Sequence, residues 1–171
     1  MPAILREIPF TPEMQPDIQS FECGDSDTAL DMMDWIKGPR CLSSMAEKHT
    51  KVWLFHDEHG SLVGFGSLGI TLWPWPMPQS PMEAVSIIPA FAVDSKFHGL
   101  PSDASKEDRY SGLIVRFLIE QAKLQGMRLL VLYVRKTNVK AIGLYAHLGF
   151  MQMPDSYKGN RKMFLNLSAD V

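Results

Sequence analysis

Few residues of this sequence have the spacing of a ready-made catalytic or metal-binding set. His56 and His59 form an H-x-x-H pair beside a predicted hairpin loop, and without a third ligand they fit a surface turn better than a metal site. Cys23 and Cys41 lie far apart, in neither C-x-x-C nor zinc spacing, which indicates reduced thiols. Glu83 precedes a buried apolar run and could be a proton acceptor or simply a solvated carboxylate at a strand end. Any chemistry must therefore come from groups that the fold brings together.

The composition is that of one ordinary globular domain. The chain has 171 residues, of which 46% are hydrophobic and 21% charged, so we expect a single domain over residues 1–171. The formal net charge is −2, from 17 Lys and Arg against 19 Asp and Glu, which disfavours a nucleic-acid partner without excluding tRNA. The sequence contains neither a leader-like pattern nor an apolar run of membrane-spanning length, and we expect a cytoplasmic protein that does not enter the membrane.

The N-terminal half combines helix and hairpin signals. The predicted elements are a strand near 3–8, a helix from Asp25 or Ser26 to Gly38, a short helix over 41–48, and hairpin strands over 50–55 and 62–70. The segment at 73–78, WPWPMP, cannot be a central strand, because alternate prolines remove backbone donors. We expect a surface loop there that lines a pocket, covers the core or contacts a second copy of the chain.

The C-terminal half predicts alternating strands and helices. The run from Glu83 to Val93 is apolar throughout, as in a strand buried on both faces, but Pro89 requires a bulge or a break within it. The elements predicted after it are a polar loop over 95–108, a helix ended by Gly126, a strand over 128–134, a helix over 138–148 and a strand over 162–167. This order indicates one mixed α/β layer structure.

Two segments of this half carry a family resemblance. Residues 138–150, NVKAIGLYAHLGF, resemble the N-x-x-A-x-x-L-Y-x-x-x-G-F signature of the GNAT (acyl-CoA N-acyltransferase) superfamily at every defined position. Residues 91–99, FAVDSKFHG, are similar to the central strand and turn of that family, L-A-V-D-x-x-Y-Q-G. A shorter similarity, FECG at 21–24, links the N-terminus to a GNAT subgroup that includes toxins of toxin–antitoxin pairs.

The resemblance implies an α/β (α+β) fold with a mixed, mostly antiparallel sheet and helices on both faces. A bulge in the fourth strand then splays the fourth and fifth strands, and the pantetheine of acetyl-CoA lies between them. The break expected at Pro89 agrees with this architecture. The donor-binding residues that the resemblance implies are Phe91, Ala92, Val93, His98, Gly99, Ser111, Gly112, Leu113, Asn138 and Ala141.

The sequence departs from the family at the pyrophosphate site. The glycine-rich turn that should lead directly into a helix is divided: His98-Gly99 begins it, a polar stretch intervenes, and Ser111-Gly112 opens the helix. Ile114 stands where a second small residue is usual, which predicts a looser or shifted phosphate site. The glycine at the first helical turn could still let phosphates approach the backbone N–H groups. Lys106 and Arg109 could add charge-assisted contacts.

Acyl transfer from a thioester to an amine needs a neutral amine, a stabilised oxyanion and a proton for the departing thiolate. The resemblance assigns the proton donor to Tyr145, whose alternative role is that of a packed aromatic on an apolar helix face. A backbone N–H at Ala92 or Val93, freed by the bulge, could hold the thioester carbonyl. Glu83 could take the proton of the amine.

We therefore expect an N-acetyltransferase that moves an acetyl group from acetyl-CoA to a primary amine of a small molecule or a protein. No metal is expected, and a homodimer is one possible assembly. The second hypothesis is a toxin-like acetyltransferase acting on aminoacyl-tRNA, suggested by the FECG segment and opposed by the acidic net charge. The third is a degenerate GNAT-fold protein that binds a partner or CoA without turnover, suggested by the divided phosphate loop.

Overall fold

A computed structural model of the protein describes residues 4–47, 49–73, 82–157 and 159–168. Its helices are α1 (Asp27–Lys37), α2 (Pro39–Glu47), α3 (Tyr110–Leu124) and α4 (Val139–His147), with short 3-10 segments at Pro12–Ile18, Ser95–Phe97 and Lys106–Asp108. Its strands are β1 (Arg6–Pro9), β2 (Lys51–His56), β3 (Leu62–Trp73), β4 (Glu83–Ile87), β5 (Phe91–Val93), β6 (Leu129–Arg135), β7 (Met151–Tyr157) and β8 (Asn160–Asn166). Beyond the backbone of Trp73, the proline-rich segment at 73–78 lies outside the described residues.

The described strands form one eight-stranded sheet in the order β1-β2-β3-β4-β6-β8-β7, with β5 paired to β3 beside this path. The pair of β4 with β6 is parallel, and every other pair is antiparallel. The chain runs from β4 through β5 and α3 to β6, so the two parallel strands are joined by a connection that contains a helix. The predicted mixed, mostly antiparallel sheet is confirmed.

Helices cover both faces of the sheet. Successive residues of β3 face the two helical layers in turn. Phe65 stacks on Trp35 of α1, with ring centroids 6.0 Å apart. On the opposite face, a Cβ added to Gly66 would lie 3.2 Å from side-chain atoms of Ile114 and Leu118 of α3. The small residue therefore lets α3 pack closely on the sheet, while the neighbouring aromatic anchors α1.

The hairpin of β2 and β3 and the helices α1, α3 and α4 lie where the sequence predicts them. Ser26, one of the two predicted caps, accepts a hydrogen bond from the Ala29 N–H at 3.1 Å. Strand β7 is an element that the sequence did not predict: it contains Pro154, and its register with β8 shifts between Gln152 and Ser156. In the described ranges, no helix is both long and apolar enough to cross a membrane.

Candidate active site

The apolar run from Glu83 to Val93 is interrupted between β4 and β5. At this break, a buried serine forms hydrogen bonds with the backbone of Ala90. Pro89 has no N–H, so the ladder cannot continue through it. The fully buried Ser67 hydroxyl accepts from the Ala90 N–H at 3.0 Å and donates to the Ala90 carbonyl. Just before the break, the Ile88 N–H donates to the Val131 carbonyl of β6 at 3.1 Å. The N–H and carbonyl of Ala90 and the N–H of Ile88 therefore all have partners at the break.

Beyond the break, β5 and β6 are not paired with each other. Strand β4 pairs with β6 at Ser86 and Ile87, whereas β5 pairs only with β3 and the end of β6 only with β8. The edge of β5 that faces away from β3 and the C-terminal part of β6 are therefore not hydrogen-bonded to each other, and the space between these two edges is here called the gap. It lies where the sequence resemblance expects the pantetheine.

Backbone polarity decides which groups of β5 face this gap. The Asp94 N–H donates to Val63 of β3 at 2.7 Å, and Ala92 is in register with Phe65. The backbone N–H and C=O groups of successive residues in a strand point to opposite sides. Those of Ala92 therefore point toward β3, and those of Phe91 and Val93 point into the gap. Of the two amides considered for the thioester carbonyl, Val93 is therefore the one that faces the gap.

Tyr145 lies beside the gap on α4. Its ring packs against Phe91, with centroids 6.2 Å apart, and against Phe150 at 5.5 Å. The side chain is buried, yet its hydroxyl makes no hydrogen bond to any other described residue. Burial raises the pKa of Tyr145 well above the ordinary value for tyrosine. The hydroxyl is thus a protonated and unused donor beside the strand edge.

Asn138 and Ala141 occupy the first turn of α4. The Asn138 side-chain oxygen accepts from the Ala141 N–H at 3.3 Å, which caps the helix. This contact is the structural role that the sequence already allowed for Asn138. It fixes the start of the helix that carries Tyr145.

Glu83 lies at the far end of β4, about 16 Å along the strand from Ile88 at ordinary strand rise. Its two carboxylate oxygens accept from Arg128, at 3.0 Å from Nε and 2.7 Å from the terminal nitrogen. Both oxygens of the carboxylate are thus engaged in a bidentate, charge-assisted pair with the guanidinium. This geometry supports the structural alternative for Glu83.

The residues expected at the phosphates show two features: His98 and Gly112 are held by contacts within the fold, and the backbone N–H groups of Ser111 and Gly112 are free of partners among the described residues. His98 and Gly112 make internal contacts: His98 Nε2 lies 2.7 Å from the Val93 carbonyl, and a Cβ on Gly112 would lie 2.6 Å from the carbonyl oxygens of Lys106 and Glu107. Gly112 is therefore needed for packing against the turn at Lys106–Asp108. The N–H groups of Ser111 and Gly112, in contrast, donate to no residue in the described part of the chain.

Three further residues named for the phosphate site are Ile114, Leu113 and Gly99, and the structure shows what surrounds each of them. Ile114 is fully buried, and its side chain packs against Gly64 and Gly66 of β3; the looser phosphate site that the sequence predicts stays a prediction. The Leu113 N–H donates to the Arg109 carbonyl at 2.9 Å as the first helical bond of α3. Gly99 has a φ of +72° with open space where a Cβ would be, so it serves the turn after β5.

A cavity of about 460 Å³ lies on the other face of the sheet, between α1, α2 and the break. It is lined by Trp35, Pro39, Arg40, Ser43, Ser44, Glu47, Thr50, Gly69, Ile70, Thr71, Ile87 and Pro89. Because Pro89 is part of the break, the cavity reaches the sheet where β4 and β5 separate. Its lining was not predicted from the sequence, since it is drawn from four elements distant along the chain.

The FECG segment has a structural role. Phe21 and Cys23 are buried beside α1, and burial raises the pKa of the Cys23 thiol to about 11. The Glu22 N–H donates to the Asp94 carboxylate at 3.2 Å, and the Glu22 carbonyl accepts from Ser95 at 2.7 Å. The segment therefore fastens the N-terminus to the turn after β5.

The described residues contain no group of three potential metal ligands.

No protein-family profile and no curated protein sequence matches this chain. Several solved structures are similar to this chain in fold. A structure described as a bacterial toxin has a TM-score of 0.70 at 19% identity, over 98% of this chain and 92% of its own. A GNAT-family acetyltransferase from Staphylococcus aureus MU50 has a TM-score of 0.62 at 13% identity, over 96% and 99%. A variant of the toxin AtaT, bound to acetyl-CoA and the C-terminus of the antitoxin AtaR, has 0.65 at 13%, over 96% and 94%.

These similarities, together with the splayed strands, define the class of fold. The chain has the GNAT fold of acetyltransferases, and the resemblance stated from the sequence is confirmed at that level. At 11–19% identity the neighbours establish the fold and not the substrate.

Proposed function

We propose that this protein transfers an acetyl group from acetyl-CoA to a primary amine. The observation that carries the proposal is the unpaired gap between β5 and β6, bordered by the main chain of Phe91 and Val93 and by the unused hydroxyl of Tyr145. A pantetheine arm contains amide groups that can pair with such a strand edge. The neighbour AtaT, whose structure contains acetyl-CoA, supports this choice of donor.

The groups around the gap match the needs of the reaction. The Val93 N–H donates to the thioester carbonyl oxygen and stabilises the negative charge that forms there when the amine attacks. The new C–N bond forms, the C–S bond breaks, and Tyr145 gives its proton to the departing thiolate. Burial raises the pKa of Tyr145, but it also raises that of a thiol leaving in the same apolar surroundings, so the transfer remains matched.

The acceptor enters from the cavity on the α1 and α2 face. Pro89 and Ile87 line both this cavity and the break, so an amine placed there approaches the thioester from the side opposite Tyr145. The exposed carboxylate of Glu47 is available to an incoming ammonium group. The proton lost by the amine leaves through water in this open cavity, because Glu83 is held by Arg128.

A second acceptor class has support from the neighbours. The structure described as a bacterial toxin has a TM-score of 0.70 with this chain. AtaT has also been solved in complex with acetyl-methionyl-tRNAfMet, and that structure has a TM-score of 0.65 at 15% identity over 95% of each chain. An aminoacyl group on tRNA presents the same primary amine. The net charge of −2 opposes strong binding to tRNA, so a small-molecule or protein amine is the first choice.

The test is an assay of thiol release from acetyl-CoA with panels of amines, peptides and aminoacyl-tRNA. We expect acceptor-dependent release that Tyr145→Phe slows about 10²- to 10⁴-fold. Binding of acetyl-CoA without release for any panel would favour the degenerate binding protein. Absence of acetyl-CoA binding by the folded protein would overturn the proposal.

A further inference from the structure

An aspartate of α1 is shared by two arginines beside the cavity on the α1 and α2 face. One carboxylate oxygen of Asp31 lies 3.3 Å from a terminal nitrogen of Arg135, the last residue of β6. The other oxygen lies 3.8 Å from a terminal nitrogen of Arg40, in the first turn of α2. Two guanidinium groups thus meet one carboxylate, and the cluster of these three side chains carries a net positive charge.

Arg40 is the member of this cluster that lines the cavity. Its guanidinium group contacts the described residues through one terminal nitrogen, which also donates to the Asp31 carbonyl at 3.3 Å. Its Nε and its other terminal nitrogen therefore keep donors for a further partner. Ile87 and Pro89, at the break, line the same cavity. A cation with spare donors thus borders the space assigned to the acceptor.

We infer that the acceptor is an amine that also carries a carboxylate, as a free amino acid does, and that Arg40 binds this carboxylate. The inference rests on the proposed function, in which the acceptor amine occupies the cavity. Arginine presents its N–H donors in a planar fork that matches the two oxygens of a carboxylate. The cavity has a volume of about 460 Å³, which is within the usual range for small-molecule sites.

The charges along α2 suit such an acceptor. Arg40 and Glu47 both line the cavity and are seven residues apart, which is two helical turns or about 10 Å. A molecule with one positive and one negative group is attracted to this wall, whereas a diamine is repelled at Arg40. Arg135 is a positioning residue in this arrangement, because it engages Asp31, which would otherwise neutralise Arg40.

This assignment also separates the two acceptor classes. The carboxylate of an amino acid attached to tRNA is esterified and carries no charge. Arg40 therefore favours the free amino acid over the same amino acid on tRNA.

The experiment measures thiol release from acetyl-CoA with free amino acids and with their α-carboxamides. The two series share the side chain and the amine, but the amide has no negative charge. Because the amide also has the less basic amine, a site indifferent to the carboxylate would acetylate the amide faster. For the best acceptor, we expect kcat/KM to favour the free acid by about tenfold or more.

Substitutions then assign the preference to Arg40. For Arg40→Met, KM for the acid should rise about 10- to 100-fold, while kcat, the kinetics with the amide and the dissociation constant of acetyl-CoA stay unchanged. Arg40→Lys should retain part of the preference for the acid. Arg135→Met should raise KM for the acid about threefold, because Asp31 then pairs with Arg40 alone.

The matched control is Arg116→Met on α3. Arg116 is 52% exposed, against 57% for Arg40, and it also pairs with an aspartate, Asp108, at 3.1 Å. Its loss should change the kinetics of neither series. Equal kcat/KM for acids and amides in the wild type, or an unchanged preference in Arg40→Met, would overturn the inference while the proposed function stands. If acetyl-CoA binds but no amine of any kind causes thiol release, the proposed function and the inference both fail.

Discussion

The two halves of the fourth strand, β4 and β5, differ in what their edges do. Strand β4 begins at the ion pair of Glu83 with Arg128, pairs with β3 along its length and pairs with β6 at Ser86 and Ile87, so it is held by contacts within the sheet. Strand β5 is paired with another strand on one side only, and its other edge presents the N–H groups of Phe91 and Val93 to the gap, where His98 contacts the Val93 carbonyl. The proposed chemistry is therefore assigned to β5, the half of the strand with an unpaired edge. The break at Pro89 separates the two roles.

The largest expected effect is that of Tyr145→Phe, on the β5 side. Turnover should fall about 10²- to 10⁴-fold, because the thiolate loses its proton donor, while acetyl-CoA affinity stays near normal. Burial raises the pKa of Tyr145 above the ordinary value of 10.0, so the wild-type rate should not decline from tyrosine ionisation as the pH approaches 10. An unchanged rate in the variant would remove Tyr145 from the mechanism.

The amide of Val93 can be tested by a substitution that removes only the N–H. Val93→Pro should lower kcat about 10²- to 10³-fold with limited loss of stability, since that N–H faces away from β3. The matched control, Ala92→Pro, deletes a donor directed toward β3 and should instead destabilise the fold. Equal stability losses in the two variants, measured by denaturant unfolding, would contradict the assigned strand polarity.

The break itself depends on Ser67. Ser67→Ala leaves the buried N–H and carbonyl of Ala90 without their partner and should cost about 1–3 kcal/mol of unfolding free energy, together with donor affinity. Ser86→Ala, at a fully buried serine of β4 whose hydroxyl donates to Gln125, is the matched control. It should lower stability without changing donor affinity. A similar affinity loss in both variants would mean that β4 and β5 do not differ as described.

The smallest effect is expected for Glu83→Gln. Turnover should stay within about twofold of the wild type, and stability should change by less than about 1 kcal/mol because the pair is partly exposed. Initial rates with saturating donor and acceptor provide the measurement. A loss of an order of magnitude would restore Glu83 as the base and transfer part of the chemistry to β4.

The sequence predicted what local patterns determine. The interruption at Pro89, the hairpin of β2 and β3 and the helix carrying Tyr145 follow from missing donors, alternation and periodicity. Strand β7 escaped prediction because Pro154 and its polar neighbours resemble a loop, and only pairing with β8 makes it a strand.

Contacts that helix and strand patterns do not encode could not be predicted in the same way. No local pattern indicates that Glu83 meets Arg128, that His98 contacts the Val93 carbonyl, or that the space beside Gly112 is filled by the turn before it. The same holds for the cavity between α1, α2 and the break. These features depend on which surfaces the fold brings into contact.

The central claim is that the free edge of β5 receives the acyl donor, and residue-resolved amide hydrogen exchange with and without acetyl-CoA tests it most directly. The account predicts that acetyl-CoA slows exchange at Phe91 and Val93, while amides of β4 such as Val85 keep their rates. Binding of acetyl-CoA with unchanged exchange at both β5 amides would contradict it.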